Sequence, residues 1–118
     1  HVEVAQKFFD KSIYRNQITI FHGNAHDSLE QLQSEFYEFA FIDADKSGYL
    51  EYYKKCMVLV KSGGIIILDN MLWSGHVLNP QDDDTISLVK TADFIKNDSR
   101  CTNFLMTVRD GLMVCIKK

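Results

Sequence analysis

Three charged side chains lie together where a buried hydrophobic segment ends. The stretch FIDADKSGYLEYYKKC, residues 41–56, places Asp43, Asp45 and Lys46 between an apolar run and an amphipathic one. A turn at such a point needs one polar residue or a glycine, so this cluster indicates chemistry. A partly desolvated lysine beside a metal can act as a general base. The structural alternatives are an exposed Lys46 at a helix start and an Asp45 that caps that helix.

Carboxylates follow two of the strand-like segments. Asp43 follows FAFI and Asp69 follows IIIL, with Asn70 next in the chain. Ligands in an open α/β sheet bind beyond the carboxyl ends of its strands, and neighbouring strands lie only about 4.8 Å apart. If the two strands are neighbours, the paired carboxylates need a cation between them, and an all-oxygen set favours Mg²⁺ over Zn²⁺. Alternatively, each aspartate caps the helix or turn that follows it.

Hydrophobic periodicity predicts alternating helices and strands. The predicted strands are residues 18–23, 39–43 and 65–70, followed by an antiparallel hairpin around the Asp-Gly pair at 110–111. The predicted helices begin near Val2, at an Asp27–Glu30 capping box with an apolar face through Phe36, near Tyr49 with a stop at 62–64, and near Leu88. This order predicts an α/β fold with a mostly parallel sheet covered on both faces. The long connection 71–85 carries an acidic run, 82–84, that is expected to be solvated.

Composition argues against several classes of protein. The 118 residues suit one domain or part of one, and the net charge of -3 with scattered basic residues argues against binding to nucleic acid or membrane surfaces. No apolar run approaches the ~20 residues of a membrane span. Three cysteines lie in apolar runs without metal-site spacing, which predicts reduced, buried thiols in a cytoplasmic protein.

The segments FAFIDADKSGYLEYYKK, SGGIIILDNMLWSG and VRDGLMVCIKK together resemble the metal-dependent S-adenosylmethionine (SAM) O-methyltransferases. That family includes the caffeoyl-CoA O-methyltransferases and, more distantly, catechol O-methyltransferase. The resemblance covers essentially the whole chain. It implies a Rossmann-like class I methyltransferase sheet, a divalent cation, a hydroxylated aromatic acceptor and, often, a homodimer.

The resemblance also implies roles for residues that carry its motifs. Asp43, Asp69 and Asn70 match the three metal ligands of the family. Lys46 matches the lysine that deprotonates the acceptor hydroxyl. Trp73 matches an aromatic residue placed against the acceptor in plant members, although ordinary loop packing would explain it equally well.

The implied contacts with SAM involve both ends of that molecule. Asp45 and Tyr52 match positions at its amino-acid end, and Asp43 lies with them in the same motif. Ala25 matches the small residue at the adenine. The family commonly has an aspartate just before that alanine, where this sequence has Asn24.

One part of the family pattern has no counterpart in the sequence. The glycine-rich turn and the ribose-binding acid that normally precede these motifs are not found. Residues 1–118 are therefore expected to be the C-terminal portion of one methyltransferase domain, lacking the first strands. A catalytically inactive truncated fragment is one alternative. Another is a haloacid-dehalogenase-like phosphotransferase that uses Asp43 and Asp45.

Overall fold

The computed structural model describes all 118 residues, which divide into two compact units, His1–Leu32 and Gln33–Lys118. The first unit contains helix α1 (Val2–Asp10), a 3-10 turn (Arg15–Gln17) and helix α2 (Ala25–Glu30). No residue of either helix is buried. No helix of the protein combines the length and the apolar character that a membrane crossing requires.

The second unit is a four-stranded mixed sheet with two helices. Its strands are β1 (Tyr37–Ile42), β2 (Val60–Leu68), β3 (Cys101–Met106) and β4 (Leu112–Lys117), and its helices are α3 (Tyr49–Leu59) and α4 (Asp83–Lys96). The strand order is β1-β2-β4-β3, in which β1 and β2 are parallel and the remaining pairs are antiparallel. The predicted antiparallel hairpin is confirmed as β3 and β4.

The apolar core lies between α3, α4 and one face of this sheet. Side chains on that face alternate with exposed ones, as the two-residue period of a strand requires. The fully buried core includes Tyr53 of α3, Ile66 and Leu68 of β2, and Leu88 and Ile95 of α4. The opposite face keeps Phe39 and Phe41 of β1 55% and 51% exposed, so the predicted covering of both faces is not observed.

The structure corrects four details predicted from local patterns. Residues 18–23 form no strand, since no other strand provides hydrogen-bond partners for them. Helix α2 begins after Asn24, whose side chain accepts from the His26 amide at 2.8 Å, rather than at Asp27. Helix α3 ends at Leu59, and residues 62–64 belong to β2.

The acidic run is the fourth corrected detail. Asp82 caps α4 by accepting from the Thr85 amide at 2.9 Å, and Asp83 and Asp84 occupy the first turn. Carboxylates at this position stabilise a helix, because the unpaired amides and the helix dipole both favour negative charge. The run is therefore the beginning of a helix, although its side chains are exposed as predicted.

Candidate active site

Asp43 and Asp69 each follow directly after one of two adjacent strands, and the strands end at paired positions of the sheet. Ile42 pairs with Leu68 in the parallel register of β1 and β2, and the Asp69 amide donates to the Ile42 carbonyl at 3.0 Å. The two aspartates are therefore the first residues beyond a pair of hydrogen-bonded strands, as the sequence predicted. The structure places them at the carboxyl end of the parallel strand pair, where ligands of α/β sheets bind.

Asn70 adds an amide oxygen beside these carboxylates. Its backbone adopts a φ of 59°, a left-handed conformation that asparagine tolerates better than most residues. The backbone amide of Asn70 donates to a carboxylate oxygen of Asp69 at 2.7 Å. The side-chain oxygen of Asn70 accepts from Lys46 at 3.0 Å. Asp69 therefore engages the backbone of Asn70, while the Asn70 side-chain oxygen already contacts a positive charge, the Lys46 ammonium.

Lys46 is a buried lysine, with only 6% of its surface exposed. It begins a 3-10 turn, Lys46–Gly48, that leads into α3. Its Nζ lies 3.4 Å from an oxygen of Asp43 and donates to Asn70 and to the Tyr49 hydroxyl. The alternative of an exposed lysine at a helix start is wrong, because Lys46 is buried and its ammonium has the partners that burial of a charge requires.

Tyr49 was missed by sequence reasoning as a site residue and is fully buried. Its hydroxyl donates to the Asp69 carbonyl at 2.9 Å and lies 3.3 Å from the Ile42 carbonyl. Burial raises the pKa of the hydroxyl, and the negative charges of Asp43 and Asp69 raise it further. The available signal was its position three residues after Lys46, which brings side chains together within one helical turn.

Asp45 both caps the turn and holds a tyrosine. One carboxylate oxygen accepts from the Gly48 amide at 3.0 Å and from the Ser47 hydroxyl at 3.1 Å, and the other accepts from the Tyr52 hydroxyl at 2.7 Å. The bond from Tyr52 lowers the pKa of Asp45 and raises that of Tyr52 to about 12. The helix-cap alternative for Asp45 is therefore observed, and the bond from Tyr52 joins the two residues that match positions at the amino-acid end of SAM.

Trp73 faces the lysine from the connection that follows β2. The centre of its ring lies 5.3 Å from Lys46 Nζ, within the range of a cation–π interaction. Trp73 and Ser74 both have positive φ values, 47° and 53°. The structure thus brings Trp73 to the same side chain as Asp43 and Asn70.

Asn24 and Ala25 lie in the other compact unit, His1–Leu32. Asn24 caps α2 and Ala25 is its first residue, and both are exposed. Their predicted contact with adenine stays a prediction.

The cysteines and the potential metal ligands complete the inventory. Cys56, Cys101 and Cys115 are unpaired and buried, which confirms the predicted buried thiols. Burial raises the pKa of Cys56 to about 11 and that of Cys115 to about 12, so both are protonated near neutral pH. No cluster of three or more His, Cys, Asp or Glu side chains able to hold a metal ion occurs in the protein.

The sequence model of the O-methyltransferase family matches residues 1–118. The chain therefore belongs to the O-methyltransferase family, as the resemblance of its motifs predicted. This membership argues against the haloacid-dehalogenase alternative, as does the engagement of Asp45 with Tyr52 and the Gly48 amide.

Curated relatives are of the caffeoyl-CoA type. The chain is 32% identical to "Probable caffeoyl-CoA O-methyltransferase 2" of Dictyostelium discoideum over 99% of its length, and 33% identical to caffeoyl-CoA O-methyltransferase 1 of Nicotiana tabacum over 96%. These alignments cover 54% and 53% of the two relatives. The chain thus spans about half the length of the curated relatives it matches.

Solved structures confirm the predicted Rossmann-like methyltransferase fold. An O-methyltransferase from Bacillus cereus, in complex with SAH, superposes with a TM-score of 0.70 at 28% identity over 80% of this chain and 48% of that one. A Podospora anserina methyltransferase, also bound to SAH, gives 0.87 at 24% identity over 99% of this chain and 56% of the other. The second likeness shows the fold alone.

Proposed function

We propose that the protein containing this chain transfers a methyl group from SAM to a hydroxyl of a catechol-like or phenolic small molecule, with the help of a divalent cation. The observation that carries this proposal is the convergence of Asp43, Asn70 and Trp73 on one buried lysine at the strand ends. Family membership and caffeoyl-CoA-type relatives support the reaction class.

The residues at the strand ends fit a divalent cation. Oxygens of Asp43 and Asn70 both contact the Lys46 ammonium, so they already converge on one positive charge. With the nearby Asp69 carboxylate they form a set of hard oxygen ligands, which suits Mg²⁺, Mn²⁺ or Ca²⁺. When bound, such an ion would lower the pKa of an acceptor hydroxyl and orient it.

The roles of the chain's own side chains follow from their positions. Once it has released its own proton to solvent, the neutral Lys46 amine would accept the proton of the acceptor hydroxyl, since it is the buried amine among the ligand oxygens. Trp73 would hold the aromatic ring of the acceptor beside Lys46. Asp45 and Tyr52, joined by their hydrogen bond, would bind the amino-acid end of SAM, because a carboxylate and a hydroxyl suit its ammonium group. Asn24 and Ala25 would meet the adenine.

Location and assembly complete the proposal. The buried, unpaired cysteines support a reducing, cytoplasmic compartment. A homodimer remains a prediction from the family resemblance.

The decisive experiment measures methyl transfer by the native gene product that carries this chain. The substrates are isotope-labelled SAM and a panel of catechols and phenols. The Lys46→Ala variant is compared with Lys96→Ala, a control that alters an exposed lysine of α4. We expect Lys46→Ala to lower turnover roughly 10²–10⁴-fold while SAM affinity is retained, since proton abstraction contributes about that factor. Equal turnover in both variants would remove Lys46 from the reaction. A wild-type protein that binds SAM but methylates nothing would favour the inactive-fragment alternative.

Metal binding is tested separately from turnover. Electron paramagnetic resonance of Mn²⁺ distinguishes free from bound ion, and we expect Asp69→Ala to weaken binding relative to Asp93→Ala, a change on an exposed part of α4. Equal Mn²⁺ affinity in the two variants would contradict the proposed ligand set.

A further inference from the structure

We propose that Asp110 is a positioning residue that fixes Trp73 beside Lys46, and so controls the binding of the methyl acceptor. The inference rests on the proposed function and adds a residue that lies on neither of the parallel strands. Two parts of the chain are involved. We name them the Trp73 loop, residues 70–75, and the Asp110 turn, residues 109–111, which lies in the connection between β3 and β4.

The Trp73 loop has a backbone that its own residues do not favour. Trp73 and Ser74 have φ values of 47° and 53°, and Gly75 follows at 85°. Left-handed backbone is unfavourable for a bulky residue such as tryptophan, and it persists only where surrounding contacts impose it. Within the loop, the Trp73 amide donates to the Asn70 carbonyl at 3.2 Å and the Gly75 amide donates to the Leu72 carbonyl at 2.8 Å. The rest of the support comes from elsewhere in the chain.

The Asp110 turn supplies three hydrogen bonds to consecutive parts of this loop. The Gly111 carbonyl accepts from the Met71 amide at 3.0 Å and the Asp110 carbonyl accepts from the Leu72 amide at 2.9 Å. An Asp110 carboxylate oxygen then accepts from the Ser74 amide at 2.6 Å. These bonds flank Trp73 in the chain, because they hold the backbone before and after it.

The side-chain bond is the one that defines the conformation at Trp73. The two carbonyl bonds hold Met71 and Leu72, which precede the tryptophan, whereas the Asp110 carboxylate is the group of the hairpin turn that holds the residue after it. A bond from an amide to an ionised carboxylate is also stronger than one to a carbonyl. Removing the carboxylate should therefore free the Ser74 amide and loosen Trp73, while the backbone bonds to the hairpin turn and the bond from Gly75 to Leu72 stay in place.

Gly111 makes the close approach of the two segments possible. Its φ is 83°, and a Cβ added there would lie 2.6 Å from Cγ of Leu72. Gly111→Ala should therefore push the turn away from the Trp73 loop without removing any hydrogen-bonding group. It provides a second variant that disturbs Trp73 by a different physical route.

Trp73 reports directly on the proposal, since it is the only tryptophan in the sequence. The test uses the native gene product, and the fluorescence of a Trp73→Phe variant is subtracted as the baseline. Asp110→Ala and Gly111→Ala should shift the Trp73 emission and increase its quenching by acrylamide. Asp110→Asn retains an oxygen acceptor and should give a smaller change. Asp93→Ala, which removes an exposed carboxylate of α4, should change neither property.

The kinetic arm separates positioning from a general loss of structure. Asp110→Ala should raise KM for the acceptor roughly 10-fold or more, which is the effect of losing one charge-assisted hydrogen bond, and leave the affinity for SAM unchanged. In a Trp73→Ala background the same change should have little further effect, since residues that act through one another are not additive. A full additional increase in that background would overturn the proposal.

The two arms also distinguish failure of this inference from failure of the proposed function. The fluorescence measurement needs no turnover, so it tests the contact between Asp110 and the Trp73 loop even if no acceptor is methylated. Unchanged Trp73 emission in Asp110→Ala would overturn the inference. Changed emission with an unchanged acceptor KM would show that the contact exists but does not control acceptor binding, and would overturn it as well.

Discussion

Tyr49→Phe isolates one hydroxyl at the centre of the candidate site. The phenol ring is fully buried, and its hydroxyl joins Lys46 of the 3-10 turn to the carbonyl of Asp69 at the end of β2. Phenylalanine keeps the ring and its packing in the core. The substitution therefore removes hydrogen bonds and almost no apolar contact.

The expected cost follows from the groups left behind. The partly buried Asp69 carbonyl loses a donor at 2.9 Å, and an acceptor left unsatisfied by the loss of its partner costs about 1–3 kcal/mol. The Lys46 ammonium loses one acceptor but keeps Asp43 and Asn70. We therefore expect the free energy of unfolding to fall by about 2 kcal/mol, near the middle of that range.

The assay is urea unfolding followed by circular dichroism, with Tyr14→Phe as the matched control. Tyr14 is 58% exposed, so the loss of its hydroxyl should change the free energy of unfolding by less than about 0.5 kcal/mol. The slope of the transition should be unchanged in both variants, because neither changes the surface exposed on unfolding. A cost for Tyr49→Phe equal to that of Tyr14→Phe would refute the view that this hydroxyl connects the lysine to the strand end.

Two further predictions concern the pH dependence of stability and the exposed face of the sheet. Bonds from Arg100 lower the pKa of Asp98 to about 2 from an ordinary value of 3.8, so Asp98 should stabilise the fold by about 2 kcal/mol above pH 4 and lose this effect as the pH falls toward 2. Urea unfolding across this range should show the stability gap to Asp98→Asn closing at low pH, and a gap that persists unchanged at pH 2 would contradict the assignment. Residues 1–118 expressed alone should self-associate through the open sheet face, and Phe39→Lys with Phe41→Lys should reduce this in sedimentation runs. A monodisperse monomer that binds SAM would contradict that expectation.

The strand ends could be predicted from the sequence because the rule behind them is topological. Asp43 and Asp69 follow short apolar segments, and parallel strands bring their carboxyl ends to one edge of the sheet. Local sequence patterns gave wrong predictions where a secondary-structure element needs a neighbouring element to form. Residues 18–23 have strong strand propensity but no neighbouring strand, and propensity alone does not make a strand.

The contacts that organise the site could not be predicted for a related reason. The hydroxyl of Tyr49 reaches Asp69, 20 positions away, and Asp110 reaches Ser74 across 36 positions. Each contact depends on how a turn approaches a loop in three dimensions. Tyr49 therefore appeared in sequence only as the start of a predicted helix, and Asp110 only as a turn residue.

The groups assigned to chemistry and those assigned to the acceptor are held by different parts of the fold. Lys46 lies on a turn that α4 supports, since the Ser87 hydroxyl donates to the Lys46 carbonyl at 2.9 Å. Trp73 instead lies on a loop held by the β3–β4 turn. Substitutions in the β3–β4 turn can therefore shift Trp73, which is proposed to contact the acceptor, without shifting Lys46. This separation gives a physical reason to expect that acceptor preference varies through residues 71–75 and 109–111, while Asp43 and Asp69 stay fixed by the sheet and Lys46 by its contact with α4.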